Sequence, residues 1–279
     1  MRHHRPIALL VFTIFFSCAP KAILLEQPKL VSIYFERKIK RLVNNGSKSI
    51  EIKRLLIKTR VEYGFGIIME QADRLIDDDY LEGLVKYKKA NIIFAEAKDS
   101  GMSIMSDRYP EFNNWLKKES KIEFSQEDVR DMYWLAASIG GSIASSRGNP
   151  FELINLPYVG RLLNKCIQID PEWNNGSLYS AMMSFTTTRS DLNEEMLRDT
   201  VDYYFNKTIS SSNGMDAGPY LSYAESIHKT FQERKEFVDK LNYVLKMDII
   251  PNSDHELSNL IAKSRAKWLL TKTDEYFLE

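Results

Sequence analysis

The stretch LLNKCIQIDPEWNNGSLYSAMM, residues 162–183, decides the fold class. Val159, Leu162, Leu163, Cys166 and Ile167 recur at the spacing that places them on one buried stripe of an α-helix. Pro171 disfavours helical geometry at Asp170, and Asn174-Asn175-Gly176 supplies turn residues before a second helix opens near Ser177. The unit is a helical hairpin.

The hairpin recurs towards the C-terminus. Leu197, Val201, Tyr204, Phe205 and Thr208 form a second stripe, stopped by Ser210-Ser211-Ser212-Asn213-Gly214. Tyr220, Tyr223, Ala224 and Ile227 begin a third helix, and Phe237, Leu241, Val244 and Leu245 mark a fourth, which ends at Met247-Asp248 ahead of Pro251. KCIQID (165–170) has a counterpart in YVLKMD (243–248). Tyr179 and Tyr220 hold similar early positions in successive hairpins, roughly 41 residues apart, within the period of helical-hairpin repeats. Upstream, Val31–Val43, Ser49–Leu75, Leu81–Met105 and Phe112–Lys118 carry helical spacing, with breaks at Asn44-Asn45-Gly46 and Tyr109-Pro110. Ser125-Gln126-Glu127-Asp128 opens a further helix in the manner of a capping box. Period-two alternation is absent. The expected fold is all-α, an irregular solenoid of helical hairpins resembling degenerate tetratricopeptide (TPR) repeats. No linker-like stretch interrupts residues 31–279, which are expected to form a single domain. A non-repetitive helical bundle would give similar stripes.

The first residues have a separate logic. Arg2 and Arg5 precede an apolar run from Ile7 to Phe16, too short to span a bilayer, so residues 1–17 read as a secretory signal. Phe15-Phe16-Ser17-Cys18 resembles a relaxed bacterial lipobox, with Cys18 as the lipidated residue and residues 18–30 as a tether. An ordinary signal peptide cut nearby is the alternative. The chain has two cysteines. Cys166 sits on the buried stripe, where a free thiol behaves as a small hydrophobe. Lipidation of Cys18 would leave no disulfide, so the exported domain depends on its core.

Formal net charge is zero, which offers no global electrostatic case for nucleic acid. Lys86-Tyr87-Lys88-Lys89 and Lys117-Lys118 read as solvated helix faces. Asp77-Asp78-Asp79 reads as a solvated turn or helix start rather than a metal site, since adjacent acids do not converge on an ion unaided. The sequence contains no HExxH, CxxC, GxSxG or glycine-rich phosphate loop. His228, with Glu225 three residues earlier, reads as exposed or capping, with an acid–base pair as the alternative. Asp254-His255-Glu256 reads as the cap of the last helix rather than a metal site. No enzyme, cofactor or metal is expected, although a hydrolase using an unrecognised carboxylate pair is a third, weaker reading.

One helix stands apart. After Tyr133-Trp134-Leu135 it runs AASIGGSIASSR (136–147), and so many small residues imply close approach by another backbone or by a ligand. Close packing is one reading. The other is a helix lining a cleft, with Trp134 and Arg147 facing it.

Four ordered segments resemble the TatT family, the lipoprotein T component associated with tripartite ATP-independent periplasmic (TRAP) transporters. They are residues 63–80, 132–179, 218–227 and 257–277, the first reading YGFGIIMEQADRLIDDDY and the last LSNLIAKSRAKWLLTKTDEYF. The resemblance implies a membrane-anchored, periplasm-facing lipoprotein with cryptic TPR-like hairpins, assembled as a homotrimer. It implies a partner, the periplasmic substrate-binding protein, and a cavity or pore suited to a small apolar or organic-acid ligand. The expected cavity lining is Trp134, Arg147, Tyr179, Tyr220, Tyr223, Arg265 and Trp268. Core packing is the alternative for each aromatic, and Arg265 with Trp268 could instead form a stacked cation–aromatic pair closing the solenoid. The competing function is a TPR-type envelope scaffold that touches no solute.

Overall fold

A computed structural model of the chain describes residues 28–44 and 49–278. Every regular element among these residues is helical, in line with the all-α expectation. The expected signal sequence, Cys18 and most of the tether fall in residues 1–27, outside the described residues.

Helix α1 spans Pro28–Asn44 and α2 spans Ile50–Tyr63. α2 runs on through a π-helical turn, Gly64–Met69, into α3, Glu70–Leu75. α4 is one helix of 29 residues, Tyr80–Arg108. It starts there because the Asp79 carboxylate accepts the Glu82 N–H at 3.1 Å, so the acidic triplet supplies a cap. α5 (Phe112–Leu116), α6 (Asp128–Ser145), α7 (Pro150–Leu153) and α8 (Leu156–Ile169) follow. The C-terminal part comprises α9 (Ser177–Thr186), α10 (Glu194–Ser211) and α11 (Gly218–Tyr223). A second π-helical turn, Ala224–His228, extends α11; α12 (Arg234–Lys246), α13 (Glu256–Thr271) and α14 (Thr273–Tyr276) complete it.

The hairpin between α8 and α9 turns as its residues require. Asn174, Asn175 and Gly176 take three successive left-handed conformations (φ 53°, 54° and 89°). These are the residue types that reach that region at least cost. A Cβ on Gly176 would also meet Ser211 of α10 at 3.0 Å, so the glycine is required by both conformation and space. From α8 to α11, each helix packs against its neighbour in sequence, as does α12 against α13.

The cores follow this order. Phe112, Trp115, Val129, Met132, Leu135, Leu162, Leu163, Cys166 and Leu178 form the central one, where α6 meets α5, α8 and α9. The stripe read from residues 159–167 faces it. Burial there pushes the Cys166 thiol up to about 12, so it stays protonated and unreactive. An N-terminal cluster gathers Val31, Phe35, Val61, Tyr63, Ile68 and Phe94, and a C-terminal one Leu221, Phe237, Leu241, Ala266 and Leu269.

The N-terminal and C-terminal parts of the described chain meet. Arg265 of α13 reaches Glu70 (2.6 Å) and Asp73 (2.8 Å) of α3 and forms a two-pronged bond with Glu225 (2.6 and 2.8 Å) of the second π-helical turn. Burial would lower its pKa, but the carboxylates outweigh this and raise it. Ile261 of α13 packs so near Gly66 that a Cβ there would sit 3.0 Å from it.

Candidate functional site

Between α6, α8, α9 and the start of α13 lies a cavity of about 630 Å³, a volume suited to a small organic ligand. One part of its wall is apolar: Ala136, Ala137, Gly140, Ile143 and Ala144 of α6, with Leu156, Val159 and Leu163 of α8. The small-residue run explains itself here, and its two glycines divide the work. A Cβ on Gly141 would lie 2.3 Å from the Phe94 ring, whereas one on Gly140 would meet nothing within 4 Å. A Cβ on Gly64, in the first π-helical turn, would likewise lie 2.5 Å from the same ring. Close packing and cavity lining therefore occupy adjacent positions on one helix.

Aromatic side chains frame the space. Phe65, Tyr133, Trp134 and Phe185 line it, with Tyr133 and Trp134 edge to face at 5.1 Å. The Lys58 ammonium lies 5.8 Å from the Trp134 ring centre and 3.7 Å from Glu62, one turn along α2.

The rest of the wall is polar. α9 supplies Ser177, Ser180 and Ser184, followed by Thr188; Asn174 and Asn175 come from the turn, and Asp216, Asp254, His255 and Ser258 from the C-terminal part. Burial raises the Glu62 carboxyl, against the pull of Lys58 and Lys38. Burial likewise raises Asp216, opposed by the Gly218 N–H, which it accepts at 2.9 Å, and by His255. Burial pushes the Tyr133 hydroxyl up to about 12, reinforced by the charges of Asp216 and Glu62. Two carboxylates, more than 150 positions apart in sequence, thus line one cavity.

Among the described residues no group of three or more His, Cys, Asp or Glu side chains is arranged to hold a metal ion. No described helix is long and apolar enough to cross a membrane. A protein-family model for the TRAP transporter T-component matches residues 42–277. The chain belongs to that family. None of the curated protein sequences compared with it matches. Family membership gives this T component an accessory role in TRAP transport and associates it with that system at the cell envelope. T components are transporter accessory proteins, not a known enzyme family.

Of the seven residues named from the sequence, the wall of this cavity includes Trp134. The others sit elsewhere in this T component. Arg147, in a left-handed conformation beyond α6, lies over the Tyr87 ring at 4.7 Å. Tyr179 is buried, 6.4 Å from Tyr204. Tyr220 packs between Phe205 (5.2 Å) and Tyr243 (4.6 Å). The Tyr223 hydroxyl donates to Asp202 at 2.6 Å. Arg265 holds the ion cluster at the closure, and Trp268 lies 5.6 Å from both Arg265 and Arg74, the stacked arrangement weighed above.

One histidine differs from its sequence reading, and the other has a second role beside the expected cap. His228 is buried, and its Nδ1 pairs with Glu233 at 2.7 Å, while Glu225 turns away to Arg265. His255 stands at the start of α13, where its carbonyl accepts the Asn259 N–H at 2.8 Å, but its side chain also lines the cavity. Glu62, Asp216 and the α9 hydroxyls were not singled out from sequence. The serine and threonine spacing 177, 180, 184, 188 was the available signal, since it lies along one helical face.

Proposed function

We propose that the protein is a lipid-anchored, periplasm-facing accessory subunit of a TRAP uptake system. In this reading it docks the periplasmic substrate-binding protein and holds a small organic ligand in its central cavity. The family match over residues 42–277 carries the reading. The cavity of about 630 Å³, apolar on one side and polar on the other, supports the ligand-holding part. Cys18 provides the anchor, residues 31–279 act as one helical domain of TPR-like hairpins, and three copies assemble.

Affinity capture tests the partner. Tagged protein incubated with native envelope extract should retain a periplasmic substrate-binding protein in stoichiometric amount. Recovery of envelope-assembly proteins in its place would establish the scaffold reading and leave the family resemblance as one of fold. Detergent phase separation tests the anchor: Cys18→Ser should move the protein to the aqueous phase, and unchanged partition would remove the lipid from the proposal. Light scattering on purified protein should return the mass of three chains; the mass of one would exclude the trimer.

A further inference from the structure

We infer that the cavity selects an amphipathic cation, a primary ammonium group carried on an apolar body. The inference rests on the proposal that the cavity is a ligand site and adds the chemical class of its occupant.

Three carboxylates, Glu62, Asp216 and Asp254, line the cavity, against one lysine, Lys58. That lysine already faces Glu62 at 3.7 Å and has about half its side chain in solvent (49%). With its lysine half in solvent and the charges 3.7 Å apart the pair is weak, and a ligand ammonium held in the cavity displaces it. Asp254 has no ion pair among the described residues. His255 is 3.9 Å from Asp216, beyond a direct hydrogen bond.

Hydrogen-bond polarity points the same way. The hydroxyls of Ser177, Ser184, Thr188 and Ser258 donate to the backbone carbonyls of Asn174, Ser180, Phe185 and His255, at 2.7–3.2 Å. The Asn174 amide donates to Ser177 at 2.7 Å, and Asn175 donates to Asp254 at 3.5 Å. These six side chains spend donors within the wall. Unused lone pairs remain, so the polar surface offers acceptors. A carboxylate ligand would bring further acceptors beside desolvated acids, which is costly on both counts. An ammonium brings three donors and a positive charge. Trp134 and Tyr133 add ring faces that attract a cation, and the α6 and α8 side accommodates the alkyl or aromatic body.

The test uses three probes of equal length, n-octylamine, 1-octanol and n-octanoate. Each is titrated calorimetrically into the full chain carrying Cys18→Ser at neutral pH. The amine should bind at least tenfold more tightly than the alcohol, and octanoate more weakly than either. The double variant Glu62→Gln, Asp216→Asn should bring the amine to within threefold of the alcohol. Unchanged alcohol binding in that variant shows that the cavity is intact. Octanoate binding as tightly as the amine would overturn the cationic class and leave the cavity standing as a ligand site. Absence of binding by all three would overturn the ligand site itself, and this inference with it.

Discussion

Gly140 and Gly141 are neighbours in sequence and opposites in environment. Gly141 backs onto Phe94, whose ring is also pressed by Gly64, and a fully buried ring held on two sides has no room to yield. Gly141→Ala should cost about 1–3 kcal/mol, the usual penalty of overpacking. Gly140→Ala points into open space and should be neutral or stabilising by up to about 1 kcal/mol, through helix propensity. Denaturant melts of the two variants check this, and equal effects would refute the division of roles. The buried carboxyls make a second residue-scale prediction. Glu62 and Asp216 are raised by burial, so the folded state holds their protons more tightly than the unfolded chain. Stability therefore falls as pH rises from the ordinary carboxylate range through the raised folded values. Glu62→Gln and Asp216→Asn should each raise the melting temperature at neutral pH and flatten that pH dependence. A lower melting temperature at neutral pH would show that the charged forms are stabilised by something in the wall. By raising the melting temperature while weakening amine binding, both substitutions would trade function for stability, as is common at sites that hold ligand charge.

At the scale of elements, α6 shows how a helix start is built from distant groups. Asp128 is fully buried and accepts from the Ser125 N–H (2.8 Å) and hydroxyl (3.0 Å), the Tyr109 hydroxyl (2.7 Å) and Arg108 (2.6 Å). Burial alone would raise this carboxyl, but those donors together hold it below the ordinary value. The capping pattern at Ser125–Asp128 was legible; the two partners from the end of α4 were not, because nothing local identifies them. Asp128→Ala should cost about 2–3 kcal/mol, the scale of hydrogen bonds to a charged group. The depressed group stabilises the fold above its ordinary pKa, and that contribution disappears as pH falls through the folded value. The gap between the wild type and Asp128→Ala, measured by urea melts, should therefore narrow in acid. A gap independent of pH would assign the loss to packing. The π-helical turns are the other elements that escaped the sequence. Gly64 and Gly66 signalled a weak point in a helical pattern, and the structure resolves it as one continuous rod with a widened turn.

For the whole molecule, the decisive contact is the one that joins α3 to the second π-helical turn through α13. Arg265 is largely buried (17% exposed) and bridges α3 to the second π-helical turn through three carboxylates. Removing one partner of a buried ionic cluster leaves uncompensated charge, so Arg265→Leu should cost about 3–5 kcal/mol. Its signature should be non-local. Amides in Glu70–Leu75 and Ala224–His228 should lose exchange protection together, though they are some 150 residues apart. Loss confined to α13 would mean that the cluster does not close the molecule. The closure also bears on the cavity, because its polar wall takes Glu62 from the N-terminal part and Asp216 and His255 from the C-terminal part.

The amino-acid sequence by itself determined the helices, most of their ends and the buried stripes. These depend on hydrogen bonds and side-chain spacings within a few residues, as at Leu162–Cys166 and the Asn174-Asn175-Gly176 turn. Family membership was legible for the same reason, as ordered local segments. Only the tertiary structure decided which side chains share the cavity. Glu62, Trp134, Ser180, Asp216 and His255 come from five separate parts of the chain, and their meeting depends on packing over long sequence distances. Aromatic and arginine residues drew attention in the sequence because of their size, and most of those named proved to be holding helices together. Where α6 and α9 face the cavity, their share of the wall is mainly alanine, glycine and serine, since open space between helices requires small side chains along them.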